Sequence, residues 1–479
     1  MKKTDLNMGM YVNGEWVQLD KSIPVLNPAT LETVGSVPDA TAVDAKKAVD
    51  AAHEAFKTWS KTTAYERAAL LERWHQVIES RLDEIALVMT LEQGKPLAEA
   101  KGEVQYANSY IKWYAEEAKR IYGETIPASS GSKRILVQKQ PVGVVAAVTP
   151  WNFPAAMIAR KIAPALAAGC TTVSKPAEQT PLTALLLAEC AHEAGIPAGV
   201  INILTTSNAG ELVDVWMEDS RVKKITFTGS TPVGKMLMRK AADTVKKVSL
   251  ELGGLAPFII AEDANIAEAV KGLMLSKFRN AGQTCICANR VYVHENVKDE
   301  FLDAFTKAVV ALRVGNGTEA GVEVGPLIDD RAVKKVQHQI DDALSKGATL
   351  HGEPILEGST GYFMKPVVLS GVTDEMVCMQ EETFGPIAPV STFSDDQEVI
   401  ERANNTPFGL AAYVFTQSLT KAFYFSENLE YGIVGVNDGG PSVAQAPFGG
   451  MKESGLGREG GHHGIEEYLE VKYVSVALI

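Results

Sequence analysis

The segment at residues 142–178, VGVVAAVTPWNFPAAMIARKIAPALAAGCTTVSKPAE, decides the fold. It consists of an apolar run, a proline-opened stretch of helical length and a second apolar run. This order is repeated, with apolar runs at 142–149, 170–174, 200–204, 223–228 and 246–250 and helix-like segments at 154–168, 181–194, 208–217 and 231–243. Such alternation predicts a parallel sheet with helices on both faces.

The alternation starts again near Pro257 and continues to about Ser426. We therefore expect an α/β protein with two parallel-sheet lobes and a boundary near Gly253–Gly254. The last strand-like piece, Tyr468–Ile479, has no obvious local partner in the sequence. We expect it to complete another lobe or another subunit.

Composition narrows the possible classes of protein. The chain has 479 residues, which suggests about three domains or lobes of ~150 residues. Its net charge of −13 argues against nucleic-acid binding, which needs clustered Lys and Arg. No apolar run approaches the ~20 residues that span a bilayer, and Met1–Trp16 lacks the apolar stretch of a secretory signal. Five cysteines without a disulfide-framework spacing indicate a reducing compartment, so we expect a cytoplasmic protein.

Polar residues follow the first two predicted strands of the parallel sheet. Pro150 and Pro154 stiffen the turn around Asn152, whose carboxamide could donate a hydrogen bond to a developing oxyanion. A plain proline-capped turn is the alternative. Lys175 and Glu178 stand where dinucleotide-binding sheets carry a ribose-binding residue, although a surface ion pair fits equally well. A carboxylate at Glu178 would repel a 2′-phosphate, which favours NAD over NADP.

Two glycine-rich stretches are candidates for phosphate binding. In FTGSTPVG, residues 227–234, Gly229 and Ser230 stand immediately before a predicted helix and offer free N–H groups. The pattern G-x-G-x-x-G occurs at residues 455–460, but no predicted strand precedes it and no βαβ unit follows. We interpret this second match as a flexible loop.

Glu251 and Cys285 are the candidates for covalent chemistry. Glu251 closes the fifth predicted strand, and Cys285 lies in a loop of small and polar residues. A free thiol is only a few per cent ionised at neutral pH, so a reactive cysteine needs a base such as a nearby carboxylate. The alternative is that Cys285 and Cys287 are small buried hydrophobes. No zinc-ligand spacing accompanies them, so we expect no metal site.

Seven motifs then occur in one order: PWNFP at 150–154, SKPAEQTP at 174–181, FTGSTPVG at 227–234, LELGG at 250–254, the loop around Cys285, EETFGP at 381–386 and PFGGMKESGLGREGG at 447–461. With these motifs the chain resembles the NAD(P)-dependent aldehyde dehydrogenases along nearly its whole length. The resemblance implies that Cys285 forms a thiohemiacetal with the aldehyde and that Asn152 and the Cys285 backbone N–H bind the oxyanion. After hydride passes to the nicotinamide, Glu251 would activate the water that releases the acid.

The resemblance also assigns residues to the cofactor, which would be NAD with NADP possible. Lys175 and Glu178 match ribose positions, Gly229, Ser230 and Gly234 the pyrophosphate turn, and Glu382 and Phe384 the nicotinamide ribose. The full set of expected cofactor residues is Pro150, Trp151, Lys175, Glu178, Gly229, Ser230, Gly234, Glu382 and Phe384.

Within the family, FRNAGQTCICANR at 278–290 and AMIARK at 156–161 resemble the succinate-semialdehyde dehydrogenase branch. The resemblance implies that Arg160, Arg279 and Ser442 hold the distal carboxylate of the substrate, and arginine does suit carboxylates. A surface ion pair is the alternative for each arginine. Glutarate semialdehyde or a sulfonated aldehyde would satisfy the same residues, and a binding or structural protein that lost the chemistry is a further alternative.

The resemblance finally implies a domain division and an assembly. Residues 1–119 and 140–252 would bind NAD, residues 253–453 would form the catalytic domain, and residues 120–139 and 454–479 a small β oligomerisation flap. The protein would be a homo-oligomer, either a dimer or a tetramer of paired dimers. Independently of the family, Cys287 lies two residues from Cys285 and could close a disulfide that blocks the nucleophile.

Overall fold

The strands and helices are those of a computed structural model that describes residues 6–478. In chain order the strands are β1 (Leu6–Asn7), β2 (Met10–Val12), β3 (Glu15–Val17), β4 (Ser22–Leu26), β5 (Thr33–Pro38), β6 (Glu124–Ile126), β7 (Lys133–Pro141), β8 (Val144–Val148), β9 (Thr171–Lys175), β10 (Ile201–Ile203), β11 (Val222–Thr228), β12 (Lys247–Glu251), β13 (Ala256–Ile260), β14 (Ala288–His294), β15 (Thr349–His351), β16 (Val367–Ser370), β17 (Ile387–Phe393), β18 (Phe408–Gly409), β19 (Ala411–Phe415), β20 (Ile433–Val436), β21 (Met451–Lys452), β22 (Gly455–Leu456) and β23 (Leu469–Ala477).

The α-helices in chain order are α1 (Ala42–Trp59), α2 (Ala64–Ser80), α3 (Leu82–Gln93), α4 (Leu97–Glu117), α5 (Pro154–Ala168), α6 (Pro181–Glu193), α7 (Ala209–Glu218), α8 (Thr231–Ala242), α9 (Ile266–Phe278), α10 (Lys298–Val310), α11 (Asp330–Ser345), α12 (Val377–Gln380), α13 (Asp396–Asn404), α14 (Leu419–Asn428) and α15 (Gly461–Glu466). Short 3-10 turns occupy Ala118–Arg120, Arg279–Gly282 and Glu295–Val297. Within residues 6–478 no helix is long and apolar enough to cross a membrane.

The first large sheet has the strand order β22-β12-β11-β8-β9-β10-β2-β3. Its five central strands, β12 to β10 in that order, are parallel to one another. Strand β8 and helix α5 are buried along their whole length, which explains why they are mostly apolar. Pro154 occupies the first turn of α5, and Gly169, with φ +98°, ends it. The predicted strands and helices of this lobe are confirmed to within two residues.

The second large sheet has the order β15-β16-β17-β14-β13-β19-β20, and all of its strands except β15 run parallel. The chain passes from the first sheet to the second between the end of β12 and the start of β13. The carboxyl ends of parallel strands are where such sheets bind ligands. The expected α/β fold with two parallel-sheet lobes is therefore confirmed.

A small third sheet, of order β23-β7-β6, accounts for the terminal strand. Strand β23 pairs antiparallel with β7 over nine residues, from Leu469 opposite Pro141 to Ala477 opposite Lys133. The strand has no partner nearby in the sequence, as expected, because its partner comes from a segment more than three hundred residues earlier. The expected β flap is present, and the other edge of β23 is unpaired within residues 6–478.

A buried ion pair holds the start of α5. The Glu103 carboxylate on α4 pairs with the Lys95 ammonium, and both side chains are almost completely buried. Glu103 Oε1 also accepts hydrogen bonds from the backbone N–H groups of Ala155 (2.9 Å) and Ala156 (3.3 Å). A carboxylate at a helix N-terminus satisfies free N–H groups and complements the helix dipole. Lys95 Nζ in turn donates to the carbonyl oxygen of Asn152 at 2.8 Å.

Replacing Glu103 with Gln tests the importance of this pair for stability. The variant Glu103→Gln leaves the Lys95 ammonium buried without its counter-charge, so we expect a loss of about 3–5 kcal/mol in unfolding free energy. Urea denaturation followed by tryptophan fluorescence measures it. The control is Glu54→Gln, which removes the exposed partner of Lys57 and should leave the urea midpoint unchanged. Equal midpoints for Glu103→Gln and the wild type would contradict this role.

Candidate active site

Cys285 lies in a loop whose backbone is tightly constrained. The loop follows α9, and its residues Asn280, Ala281 and Gly282 have φ values of +53°, +55° and +76°. The side chain of Gln283 holds the loop from inside, because its Nε2 donates to Asn280 O at 3.1 Å and its Oε1 accepts from Ile328 N at 2.9 Å. A positive φ at a residue other than glycine costs conformational energy, and it persists only where the surrounding structure imposes it. The strain marks the loop as a candidate functional segment.

The turn that carries Asn152 is attached directly to this loop. Asn152 Nδ2 donates to the carbonyl oxygen of Gln283 at 3.1 Å, and Asn280 Nδ2 donates to Asn152 O at 2.9 Å. Asn152 Oδ1 is buried without a partner, and the backbone N–H of Cys285 has no acceptor within residues 6–478. The structure therefore brings Asn152 and Cys285 together, as the sequence predicted, and leaves polar groups available for a ligand.

The electrostatic surroundings keep the Cys285 thiol protonated. Burial raises its pKa to about 12. The positive charges of Arg160 and Arg279 pull the pKa down, while Glu382 and Glu251 push it up. The structure thus places both predicted arginines close enough to the sulfur to influence its charge. A base must remove the proton before the sulfur can attack.

Glu251 ends strand β12 as a buried carboxyl group. Its Oε2 has no hydrogen-bond partner within the described residues. Burial and the neighbouring negative charge of Glu459 raise the pKa of Glu251 well above its usual value. A carboxyl group with a raised pKa is a better general base near neutral pH.

Glu459 is a site residue that the sequence analysis missed. It is buried and forms ion pairs with Arg160 Nε (2.7 Å) and with the Lys161 ammonium. Although burial opposes its ionisation, these two cations lower the pKa of Glu459. Its segment, 455–460, was interpreted as a flexible loop, but Gly455 and Leu456 form β22 at the edge of the first sheet. Glu459 lies in the last of the seven motifs, so the order of the motifs could have indicated it. The hydrophobic periodicity of the sequence could not.

A cavity of about 410 Å³ opens beside Cys285, between the two large sheets. Its lining includes eight of the expected residues: Pro150, Trp151, Asn152, Gly229, Ser230, Cys285, Glu382 and Phe384. Its other lining residues were not predicted: Thr228, Leu252, Gly253, Ile328, Asp329, Arg331, Ala332 and Lys335. Five of them lie in the second lobe, in or just before the first turns of α11, and the other three, Thr228, Leu252 and Gly253, lie inside quoted motifs without an assigned role.

The N-terminus of α8 faces this cavity. Ser230 precedes the helix, and its side chain makes no capping hydrogen bond. Free N–H groups at a helix start bind anions such as phosphate. Gly234 does not line the cavity; it packs against Leu252, which does. A Cβ there would lie 2.4 Å from a methyl carbon of Leu252, so this glycine allows α8 to approach the strand end.

Lys175 and Glu178 form an ion pair of 2.8 Å that lies outside the cavity lining. Burial opposes the ionisation of Glu178, but Lys175 outweighs it, so the pKa of Glu178 is lowered. Arg331, which lines the cavity, adds to this effect. The charged carboxylate is therefore near the end of the cavity to which α11 contributes.

Glu382 and Phe384 lie at the other end of the cavity, near Cys285. The Phe384 ring, on a residue with φ +55°, makes an edge contact with Trp151 at 5.6 Å between centroids. Burial raises the pKa of Glu382 to about 7, although Gly254 N donates to its Oε1 at 3.2 Å. Both residues lie on the wall of the cavity.

The three predicted substrate residues differ in their surroundings. Arg279 is half-buried, its guanidinium lies 5.0 Å from the centre of the Phe153 ring, and it has no ion pair within residues 6–478. Arg160 is buried, is neutralised by Glu459, and retains an unpartnered Nη2. Ser442 Oγ lies 2.5 Å from the hydroxyl of Tyr106. Of the two predicted arginines, Arg279 is thus the more available to an anionic ligand.

Cys287 faces away from solvent and toward Lys277. Lys277 Nζ donates to Cys287 Sγ at 3.4 Å, and both residues are completely buried. All five cysteines are free. Across the described residues no cluster of three or more His, Cys, Asp or Glu could hold a metal ion.

Comparisons with known proteins agree with this geometry. The family model of the aldehyde dehydrogenases matches residues 16–474. A glutarate-semialdehyde dehydrogenase of Pseudomonas putida is 53% identical over 471 residues, which cover 98% of this chain and 97% of the relative. A 3-sulfolactaldehyde dehydrogenase of Pseudomonas putida is 52% identical, with the same coverage. An Escherichia coli protein named succinate-semialdehyde dehydrogenase [NADP(+)] is 52% identical over the full length of both chains.

The same agreement holds for the fold. The crystal structure of an aldehyde dehydrogenase from Brucella melitensis biovar abortus superposes with a TM-score of 0.97 at 52% identity, covering 100% of this chain and 99% of that one. Sequence, fold and site geometry therefore lead to one conclusion. The chain belongs to the aldehyde dehydrogenase family and is an oxidoreductase.

Proposed function

We propose that the protein oxidises a short aldehyde with an anionic group at its far end, using NAD(P), and that succinate semialdehyde is the leading substrate. The observation that carries the proposal is the half-buried guanidinium of Arg279, which is unpaired within the described residues and lies six positions before the nucleophile. The relatives named for succinate, glutarate and sulfolactaldehyde substrates support an anionic substrate. Glutarate semialdehyde and a sulfonated aldehyde are the alternatives.

The cavity residues fit a dinucleotide. The free hydroxyl of Ser230 and the N-terminus of α8 would hold the pyrophosphate, and Lys175 and Glu178 the adenosine ribose. Glu382 and Phe384 would hold the nicotinamide end. When bound, the nicotinamide accepts the hydride that the aldehyde carbon loses. The charged Glu178 favours NAD over NADP, because a carboxylate repels a 2′-phosphate.

The first chemical task of the chain is covalent capture of the aldehyde. Cys285 Sγ adds to the carbonyl carbon and gives up its proton to solvent water, which leaves the Glu251 carboxylate unprotonated for the second task. The carbonyl oxygen becomes an oxyanion that the Asn152 carboxamide and the Cys285 backbone N–H would stabilise. Because the Asn152 turn is bonded to the nucleophile loop, these donors are held in place before the reaction starts.

The second task is hydrolysis of the thioester that remains on Cys285. Glu251 takes a proton from a water molecule, the water oxygen attacks the acyl carbon, and the carbon–sulfur bond breaks to release the acid. Glu459 keeps the pKa of Glu251 high, since its own charge is stabilised by Arg160 and Lys161. The intact set of Cys285, Glu251 and Asn152 argues against a retired member of the fold.

We also propose the domain division expected from the sequence and an oligomer of at least two copies. The first sheet supports a cofactor domain of residues 1–119 and 140–252, and the second sheet a catalytic domain of residues 253–453. Residues 120–139 and 454–479 supply most of the small sheet. Its edge strand β23 exposes Val471 and Tyr473, and an exposed edge with apolar side chains pairs readily with another chain.

The role of Glu251 predicts the behaviour of Glu251→Gln. The variant should still release one NADH per site in a rapid burst, because capture precedes hydrolysis, and then turn over about 10²–10⁴-fold more slowly. In the wild type, kcat should fall as pH drops through the raised pKa of Glu251. Gln cannot ionise, so that acid limb should disappear from the variant.

Stopped-flow absorbance of NADH across a pH series measures the burst, the turnover rate and the acid limb. Glu268→Gln, an exposed change on α9, is the control. A normal steady-state rate in Glu251→Gln would remove this residue from hydrolysis.

The substrate class predicts a selective defect in Arg279→Ala. We expect KM for succinate semialdehyde to rise on the order of tenfold or more, and far more than KM for butyraldehyde, which lacks the anion. The measurement is a panel of neutral, carboxylated and sulfonated aldehydes with NAD and with NADP. Arg313→Ala removes an exposed arginine as a control. Equal changes for charged and neutral aldehydes would contradict the proposed substrate class.

The exposed edge of β23 predicts the assembly. Sedimentation velocity should give a mass of at least twice 51.5 kDa for the wild type. Asp at both Val471 and Tyr473 should shift the mass toward a single chain, since charges on an edge strand oppose pairing. Tyr65→Asp, on an exposed residue of α2, serves as the control. A wild-type mass of one chain would contradict the oligomer.

A further inference from the structure

Three hydroxyl groups form a continuous chain next to the predicted substrate residues. The Tyr106 hydroxyl lies 2.5 Å from Ser442 Oγ and 2.9 Å from the Tyr110 hydroxyl. The two tyrosines are one turn apart on α4, and their rings meet edge to face at 5.1 Å between centroids. Ser442 lies 336 residues further along the chain. Tyr106 therefore connects a helix of the first lobe to the loop that carries Ser442.

The hydroxyl chain lies beside the buried Arg160 guanidinium, whose charge is paired with Glu459 but which keeps one unpartnered donor. The Arg160 guanidinium lies 5.6 Å from the centre of the Tyr110 ring, and only 2% of the residue is exposed. Its Nη2 has no hydrogen-bond partner within residues 6–478. A buried donor without an acceptor is rare in proteins, and an anionic ligand would satisfy this one. An anion that accepts from Arg160 Nη2 would therefore also be near the hydroxyl chain.

The direction of the three hydroxyl protons decides whether Ser442 attracts or repels an anion. Each hydroxyl has one proton to donate and can also accept. If Tyr110 donates to Tyr106 and Tyr106 donates to Ser442, the Ser442 proton is free to point at the anion. Successive donors strengthen one another when they align. If Ser442 donates to Tyr106 instead, Ser442 presents only lone pairs to the anion.

The tyrosines are suited to the donating direction. A phenol hydroxyl is more acidic than an aliphatic one, so Tyr106 is the better donor in its contact with Ser442. Burial and the neighbouring Tyr106 raise the pKa of Tyr110 well above its usual value, so Tyr110 keeps its proton at any pH at which the enzyme works. Tyr110 therefore always has a proton that it can donate to Tyr106.

We propose that Tyr106 is a positioning residue for substrate selectivity: it donates to Ser442 Oγ and so turns the Ser442 proton toward the distal anion of the aldehyde. The inference rests on the proposed function, because it takes the substrate to be an anionic aldehyde. It adds a residue that does not touch the reacting carbon but sets the polarity of one that faces the far end of the substrate.

The test compares Tyr106→Phe with the wild type on succinate semialdehyde and butyraldehyde. Phe keeps the ring and removes only the hydroxyl. We expect the ratio of kcat/KM for succinate semialdehyde to that for butyraldehyde to fall by about tenfold, through KM for the charged aldehyde. Tyr424→Phe is the matched control, because it removes a tyrosine hydroxyl bonded to Gln397 at 2.6 Å on the surface of the second lobe. An unchanged ratio, or an equal loss for both aldehydes, would overturn the proposal.

A double-mutant cycle separates action through Ser442 from a direct effect. If Tyr106 works through Ser442, then Tyr106→Phe should cause no further loss of the ratio in a Ser442→Ala background. Additive losses would overturn the proposal. Failure of the proposed function has a different signature: the wild type would then show no preference for charged aldehydes, and Arg279→Ala would affect both aldehydes equally.

Discussion

The buried pair of Lys95 and Glu103 is the constraint on which the rest of the site depends. Glu103 holds the first N–H groups of α5, and Lys95 holds the carbonyl oxygen of Asn152. Lys95 also lies 4.0 Å above the Phe153 ring, whose environment includes Arg279. This one desolvated ion pair therefore sets the position of the Asn152 turn relative to β8 before it and α5 after it. Removing either partner would leave the other as a buried uncompensated charge, which strongly destabilises the folded state.

A second group of buried charges surrounds Glu251. Two buried carboxyl groups, Glu251 and Glu459, lie close enough to influence each other, and their pKa values move in opposite directions. Arg160 and Lys161 decide which of the two holds the charge. Two like groups with divided roles are typical of acid–base catalysis. Arg160, which we propose to bind the substrate anion, therefore also pairs with Glu459 and influences the charge on Glu251.

The sequence predicted the strands of the first lobe well because their signal is local. An apolar run such as 142–149 is long enough for a buried strand, and the structure has β8 within it. Cys285, Glu251 and Asn152 were identified through motifs, and the structure brings Cys285 and Asn152 together on one rigid framework. Glu459 lies inside the last of the seven motifs without a contact that the motif itself reveals, and Tyr106 lies outside all seven. Their partners are 298 and 336 residues distant, and no periodicity records such a contact.

The short crossing between the two large sheets has a mechanical consequence. It begins directly after Glu251 and includes Gly254, where a Cβ would lie only 2.5 Å from the carbonyl oxygen of Cys285. Glu251, which we propose to activate water, and the backbone that carries the Cys285 sulfur thus lie on opposite sides of this short crossing. Any rotation of one sheet against the other would change the distance between the Glu251 carboxylate and the Cys285 sulfur. The cavity in which we propose the dinucleotide binds opens between those sheets. Binding and release of the dinucleotide would therefore act on the same distance between Glu251 and Cys285.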